Sequence, residues 1–567
     1  MIATFLTGVT DSPLAPIIPG RLRATNSASI LAYSRAKQWI QQCNDHHQCV
    51  PQQGEGRLPK RVLDLGEGQR SPGVRLLETR GRSGRYIALS HCWGSSHRIQ
   101  TTKATIQDHK RGMKFSALPQ TFQDAVASAR KFNIRYLWID TLCIIQDDAA
   151  DWEQESSMMG EIYSNAYLTL AASSSTDDSG GMFLDMDHRM DNVEYISSDA
   201  LSHGRPGPSN VIPDTHIKEG QMKPMFAFTN KSAFFLFKNS DGESRIFLSP
   251  EWMPSSRKEE PLTYRIGEFG RSFDPLEGEP LSRRAWTTQE RMLSPRTLHY
   301  GTDQMYWECK EVLSAEDGAV FDPSCRSMPT LKRLSRDLKE ASKGDLSGLL
   351  AMLKLRRDET LTYSDSSDVH NSLSYWSGPP PEKAWVSTWR VLVEEYTNRK
   401  LTREEDKLPA LAGLAKIIHA ETRSPYLAGH WRSSILETLC WKVQVYEPNH
   451  MCSDPEHDKL LPPPTKSKVR YPTSYRAPSW SWASIDGSID FPTYGGPRRC
   501  MAQVVDCEVV PNSKDPFGRV KSGWISILVG SPSPHTPISD SSSVCRLDIP
   551  ESLISFPRYT RKMSCPT

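Results

Sequence analysis

The chain has no apolar run approaching the roughly 20 residues that a membrane-spanning helix needs. It also lacks charge of either sign in excess. A formal net charge of +2 over 567 residues removes the electrostatic reason to expect nucleic acid or an anionic membrane as partner. Met1 to Gly20 carries a mildly apolar patch without a basic n-region, which makes it a poor signal peptide. Neither a Walker-type nor a dinucleotide glycine-rich loop is present, and no internal repeat is visible. The twelve cysteines run from Cys43 to Cys565 without a dense framework, so a reduced, cytoplasmic chain is the simplest reading. Their closest grouping is Cys43, His46, His47 and Cys49. Three of these could hold zinc, but structural zinc takes four ligands, and no second paired element stands at a suitable spacing. The expectation is no metal and no required cofactor.

What is present suits a soluble globular protein of two to four domains. Apolar residues make up 37% of the chain, and fifteen Trp and eighteen Tyr argue for substantial cores. Residues 86–94 (Tyr-Ile-Ala-Leu-Ser-His-Cys-Trp-Gly) read as a short buried strand ending in small and polar residues. Residues 136–143 read as a second. Between them, Phe122, Ala125, Val126, Ala129 and Phe132 recur at helical spacing, after Pro119 near the helix start. Strand, helix, strand at this spacing predicts a parallel βαβ unit, strands 86–91 and 134–140 flanking a helix over 120–132. Ligands of open α/β sheets sit outside the carboxyl ends of the strands. His91, Cys92 and Asp140 fall there.

Before this unit, Ser27 or Ser29 can cap a helix running to about Cys43, and 61–65 and 74–78 are strand candidates. After it, Asp151 can cap a helix whose apolar face holds Trp152, Glu155, Met159 and Ile162. Glu155 is thus a carboxylate on an apolar side, where burial raises its pKa unless a donor is near. A strand follows over 166–172. Periodicity fades from 182 to 281, read as an insertion. Order returns at 284–291, then in strand-like stretches 296–300 and 304–309. Further on, 331–355 reads as a charged helix. Trp385, Trp389, Leu392, Val393 and Tyr396 make one helix face, and Leu411, Leu414, Ala415 and Ile418 another. The alternating Trp and Ser of 477–484 suit a strand with one packed face. Residues 501–510 and 524–529 can pair as a hairpin.

Five blocks, 86–94, 118–125, 136–146, 151–166 and 284–291, follow one another in the order found in fungal heterokaryon-incompatibility (HET) domain proteins. The resemblance covers about residues 84–309. Stretches 406–413, 426–431 and 477–484 also look like the usual C-terminal regions of these proteins. It implies a cytoplasmic signalling or effector role in fungal non-self recognition and programmed cell death, with protein partners or self-association. The family has a proposed remote relation to Toll/interleukin-receptor (TIR) domains, some of which cleave NAD⁺ with a helical Glu near a Trp. Trp152 and Glu155 resemble that pair. The resulting expectation is an α/β fold: a flavodoxin-like, TIR-like, largely parallel sheet flanked by helices, then a mixed helical and β C-terminal region. Its parts are an N-terminal helix with short strands (1–83), the HET domain (84–309, with 182–281 inserted), a C-terminal region (310–530) and a flexible tail (531–567).

For function, Glu155 has the best catalytic case, as the carboxylate of a NAD nucleosidase with NAD⁺ as substrate. Its structural alternative is an ion pair with Arg284 or Arg291. His91, Cys92, Trp93, Gly94, Asp140, Trp152 and Arg284 are the ligand-binding candidates. Adjacent His91 and Cys92 on an extended strand point to opposite faces, so thiol catalysis by that pair is disfavoured. Arg284 and the 289–291 group read as polar partners for a sheet edge or interface, and Trp286 and Trp307 as core. A non-enzymatic assembly module and a small-molecule-binding domain without turnover stand as the other readings.

Overall fold

The structure, a computed structural model, describes residues 23–184 (less 25, 48, 50–55, 67–72 and 95–98), 274–320, 385–444, 469–491 and 502–528, with the backbone of short strands outside them. The expected helix over 331–355, most of 182–281 and most of the tail lie outside the described residues. The chain divides into two units, 1–155 with 161–327, and 156–160 with 328–567.

Ten strands make the main sheet of the first unit. In chain order they are β1 (Arg61–Asp64), β2 (Gly73–Glu78), β3 (Tyr86–Ser90), β4 (Met113–Lys114), β5 (Tyr136–Trp138), β6 (Leu168–Ala171), β7 (Arg296–Tyr300), β8 (Met305–Cys309), β9 (Leu313–Ala315) and β10 (Val320–Phe321). Their spatial order is β10-β9-β8-β7-β6-β3-β5-β1-β2-β4. The middle four, β7, β6, β3 and β5, are parallel. The strands on both sides of them pair antiparallel. The fold is therefore α/β as expected, with its parallel part confined to the centre.

Four helices matter for the site: α1 (Ile30–His46), α2 (Gln120–Lys131), α3 (Ala149–Asn165) and α4 (Thr287–Leu293). Helix α2 lies between β3 and β5, which pair as parallel neighbours with Tyr86 opposite Tyr136. A parallel pair needs such a crossover, because a tight turn cannot reverse the chain twice. Every residue of β3 and β6 is buried, as expected of strands covered on both faces. Ile87, Leu89, Leu137, Trp138, Leu168 and Leu170 are wholly excluded from solvent. Each such aliphatic or aromatic side chain contributes about 1.5–3 kcal/mol.

Ser29 caps α1 by accepting from the Ala32 N–H. Asp148, rather than Asp151, caps α3, accepting from the N–H groups of Ala150 and Asp151. Asp151 is drawn away because its carboxylate pairs with the buried Arg61.

The second unit is built on the helix Ala384–Thr397, whose Trp385, Trp389, Leu392, Val393 and Tyr396 are buried. Trp389 packs edge-on against Trp431 at 5.5 Å. Strands Ala502–Pro511 and Val520–Val529 form the expected antiparallel hairpin. The expected strand over 477–484 is instead a turn leading to a 3-10 helix, Trp482–Ser484. Ser481 is buried along with Trp480 and Trp482 on either side of it, so the alternation does not mark one packed face. Ser481 caps the short helix through the Ala483 N–H, and the Trp482 indole donates to the Gly429 carbonyl at 3.0 Å. Only glycine fits at 429: φ is +98°, and a Cβ there would lie 2.7 Å from the Trp482 ring.

Candidate functional site

In chain order the four parallel strands lie second, first, third, fourth. That is the flavodoxin-like arrangement, and its switch point falls between the first and third strands, where ligands bind at the carboxyl ends. Here these are β3 and β6. The switch point is thus the end of β3, at Ser90, His91 and Cys92, facing the end of β6 at Ala171.

Successive residues at the end of β3 point to opposite faces. The Ser90 hydroxyl donates to the Glu290 carboxylate of α4. His91 turns the other way, with its ring edge-on to Phe122 of α2 at 5.0 Å. Cys92 returns to the first side and packs with Ala171 and Leu281. Helices α2 and α4 therefore cover opposite faces of the sheet.

Asp140 gathers the next set. Its carboxylate accepts from the Trp93 indole at 2.7 Å and from the Thr141 N–H at 2.7 Å. His91 Nδ1 lies 3.8 Å from it. Arg284 donates to the His91 carbonyl. Gly94 has φ of +71°, and a Cβ there would come within 2.4 Å of the Asp177 Cβ, so glycine alone lets the loop at Asp177 close over it. The structure thus brings together His91, Cys92, Trp93, Gly94, Asp140 and Arg284. Trp93, Asp140 and Arg284 keep partial exposure, so they form the rim over buried Ser90, His91 and Glu290.

Two groups in this cluster hold unusual protonation states. Burial, with the negative charge of Asp140 adding to it, pushes the Glu290 carboxyl up to about 7 against the pull of Arg284 and Ser90. Burial brings His91 down to about 4 despite Asp140, so its imidazole is neutral at pH 7. The Tyr163 hydroxyl of α3 donates to the Leu89 carbonyl at 3.0 Å and lies beside Glu290. A carboxyl that titrates near neutrality beside an arginine and a second carboxylate can exchange a proton during a reaction. Burial also raises the Cys92 thiol, which leaves it a poor nucleophile.

Glu155 sits in a different group. It is 3% exposed and 3.7 Å from the Lys60 ammonium. Asp151 accepts from Lys60 at 2.7 Å and pairs with Arg61, and Arg61 donates to the Cys143 carbonyl at 2.6 Å. The ion-pair partner of Glu155 is thus Lys60, with the Arg61 charge acting on it as well, and not Arg284 or Arg291. Burial outweighs them and raises the Glu155 pKa. Arg291 is engaged by Asp274 and Glu308, the latter on β8, so it is a polar partner of the sheet. Trp152 packs edge-on against Trp286 at 6.4 Å, while Trp307 is core, stacked on Trp39 at 6.5 Å.

Sequence reasoning places Glu290 among polar edge partners and leaves it out of the candidate site. One signal points to it. Glu290 follows Trp286 by four residues, one helical turn, much as Glu155 follows Trp152 by three.

No curated protein and no solved structure matches the chain. Residues 86–290 match the family model of the heterokaryon incompatibility protein (HET). That segment holds β3, β5, β6 and the first turn of α4 as far as Glu290, hence every residue of the switch-point cluster. Among the described residues no helix is long and apolar enough to cross a membrane. The strands that build the switch point and the side chains that fill it lie within residues 86–290, the segment that matches the heterokaryon incompatibility (HET) model.

Proposed function

We propose that this protein is a cytoplasmic signalling or effector component of fungal non-self recognition, acting in incompatibility-type cell death, and that its HET domain takes NAD⁺ at the switch point. The observation that supports this best is Glu290, a buried carboxyl titrating at about 7 where an open α/β sheet binds its ligand. Arg284 suits the pyrophosphate, and the Trp93 indole offers a flat surface for a planar ring. In the reaction, the bond between ribose carbon and pyridinium nitrogen breaks. Nicotinamide leaves with the bonding pair, water adds to the cationic ribose carbon, and one proton is released. Asp140, at the rim, is placed to stabilise the positive centre, and Glu290 to take the proton by way of Ser90.

A second reading is an assembly module without turnover, working through protein partners or self-association. Its support is the Lys60–Glu155 pair, which gives the TIR-like carboxylate a structural occupation. Calorimetric titration of the purified chain with NAD⁺ tests the proposal. Saturable binding that Asp140→Ala and Arg284→Ala weaken at least tenfold upholds the site. Absence of binding favours the assembly module.

A further inference from the structure

Four metal-binding side chains meet where α1 ends against β8. Cys43 and His47 stand four residues apart across the last turn of α1, so both project from one face of the helix. The His47 N–H, at the helix cap, still bonds to the Cys43 carbonyl. Cys49 follows two residues later. Cys309 comes from the last position of β8, some 260 residues further along the chain. The ligand atoms of all four lie within 4.8 Å of one another, with Cys309 Sγ 3.4 Å from His47 Nδ1. The three sulfurs are buried. Cys309 is the fourth ligand whose lack ruled out zinc on spacing alone.

We propose that Cys43, His47, Cys49 and Cys309 bind one structural Zn²⁺. Three thiolates and one imidazole form a closed tetrahedral donor set, with Zn–S of about 2.3 Å and Zn–N of about 2.0 Å, and leave no open position for substrate. Soft sulfur donors favour zinc over magnesium or calcium. A second observation fits the charge of such a centre. A Zn²⁺ held by three thiolates and a neutral imidazole carries roughly one net negative charge. Arg296 pairs directly with Cys309 across the β7–β8 ladder, which puts both side chains on one face of the sheet. Arg296 is 2% exposed. Its Nε and Nη1 have no hydrogen-bond partner among the described residues. Its guanidinium lies over the Tyr167 ring at 5.4 Å, which carries no charge, and its field reaches Cys43; the anionic centre supplies the counter-charge that a buried guanidinium needs.

The site lies outside the matched segment, with three ligands before residue 86 and one after residue 290. Zinc there ties α1 to β8, whose Trp39 and Trp307 already stack. The centre closes the domain on itself and makes the residues on both sides of the HET segment part of one folding unit. Metal binding then adds directly to folding stability.

The test is metal analysis of the full-length chain, purified without a histidine tag and without added metal. About one zinc per chain is expected. Cobalt replacement should give the visible bands of tetrahedral thiolate coordination. In the native protein, Cys43, Cys49 and Cys309 should resist alkylation until a chelator is added, which should also lower Tm. Cys309→Ser should lose the zinc, and His47→Cys, which keeps four donors, should retain it. Zinc-free protein, a disulfide between any two of the three cysteines, or full zinc in Cys309→Ser would overturn the proposal. Because metal content and alkylation are read on the wild-type chain, the test stays decisive even if a variant fails to fold.

Discussion

Ser90, at the end of one central strand, gives its hydroxyl hydrogen to Glu290, two hundred residues later in the chain. The bond joins the first strand of the parallel core to the helix that enters the fourth. It holds a carboxyl at the point where an open α/β sheet accepts its ligand.

The protonation of Glu290 and His91 gives opposing pH dependences. Glu290 has a folded pKa of about 7, above its ordinary value of 4.5. Its stabilising contribution is full below about 4.5 and is lost as pH rises through 7, because the folded state holds the proton longer. His91 has a folded pKa of about 4, below the ordinary 6.5. Its contribution is full above 6.5 and is lost as pH falls through 4. The two windows overlap and their slopes offset in the wild type. Glu290→Gln should therefore expose a rise in stability between pH 4.5 and 7 relative to wild type, on the order of 3 kcal/mol. Urea unfolding at several pH values measures it. Parallel curves for the two proteins would show that Glu290 does not titrate in this range.

Within the charged group around Arg61, Asp151 should matter more than Glu155. Arg61 is 2% exposed and depends on Asp151. Asp151→Asn leaves that guanidinium buried with a weakened partner, costing about 3–5 kcal/mol. Glu155→Gln should cost under about 1 kcal/mol, since Lys60 is 43% exposed, keeps Asp151, and returns to water easily. The raised Glu155 pKa points the same way: its charge is disfavoured on balance. Thermal unfolding of both variants checks the order, and a larger loss for Glu155→Gln would contradict this arrangement.

Gly94 sets how closely the loop at Asp177 approaches the site. Gly94→Ala faces both a left-handed backbone, φ +71°, and a Cβ 2.4 Å from Asp177. The loop must move, and the loss should exceed about 1 kcal/mol. Hydrogen exchange around 173–181 should quicken in this variant. Unchanged exchange would show that the loop does not rest on Gly94.

The central fold was readable because period and burial are local. Strands β3, β5 and β6 are short apolar runs, and the faces of α2 and α3 follow helical spacing. That His91, Trp93, Asp140 and Arg284 meet was readable because the carboxyl ends of neighbouring parallel strands converge in an α/β sheet. The antiparallel wings were less so, since pairing partners are not written in a strand's own residues. Register decides them, as when β1 turns to pair antiparallel with β5. The pairing of Glu155 with Lys60 depended on where β1 docks, which spacing does not reveal. Cys309 escaped for the same reason: its companions lie far away in sequence and meet it only through packing of α1 on β8. The 477–484 stretch misled because its tryptophans answer to contacts such as Gly429 rather than to strand alternation.

Nicotinamide release from NAD⁺ by the purified chain, compared with Glu290→Gln and Glu155→Gln, decides whether the switch point is catalytic. Release by wild type is expected, with loss of at least a hundredfold in Glu290→Gln, its fold retained, and near wild-type turnover in Glu155→Gln. Full activity in Glu290→Gln, loss confined to Glu155→Gln, or no release by the wild type would contradict a catalytic switch point.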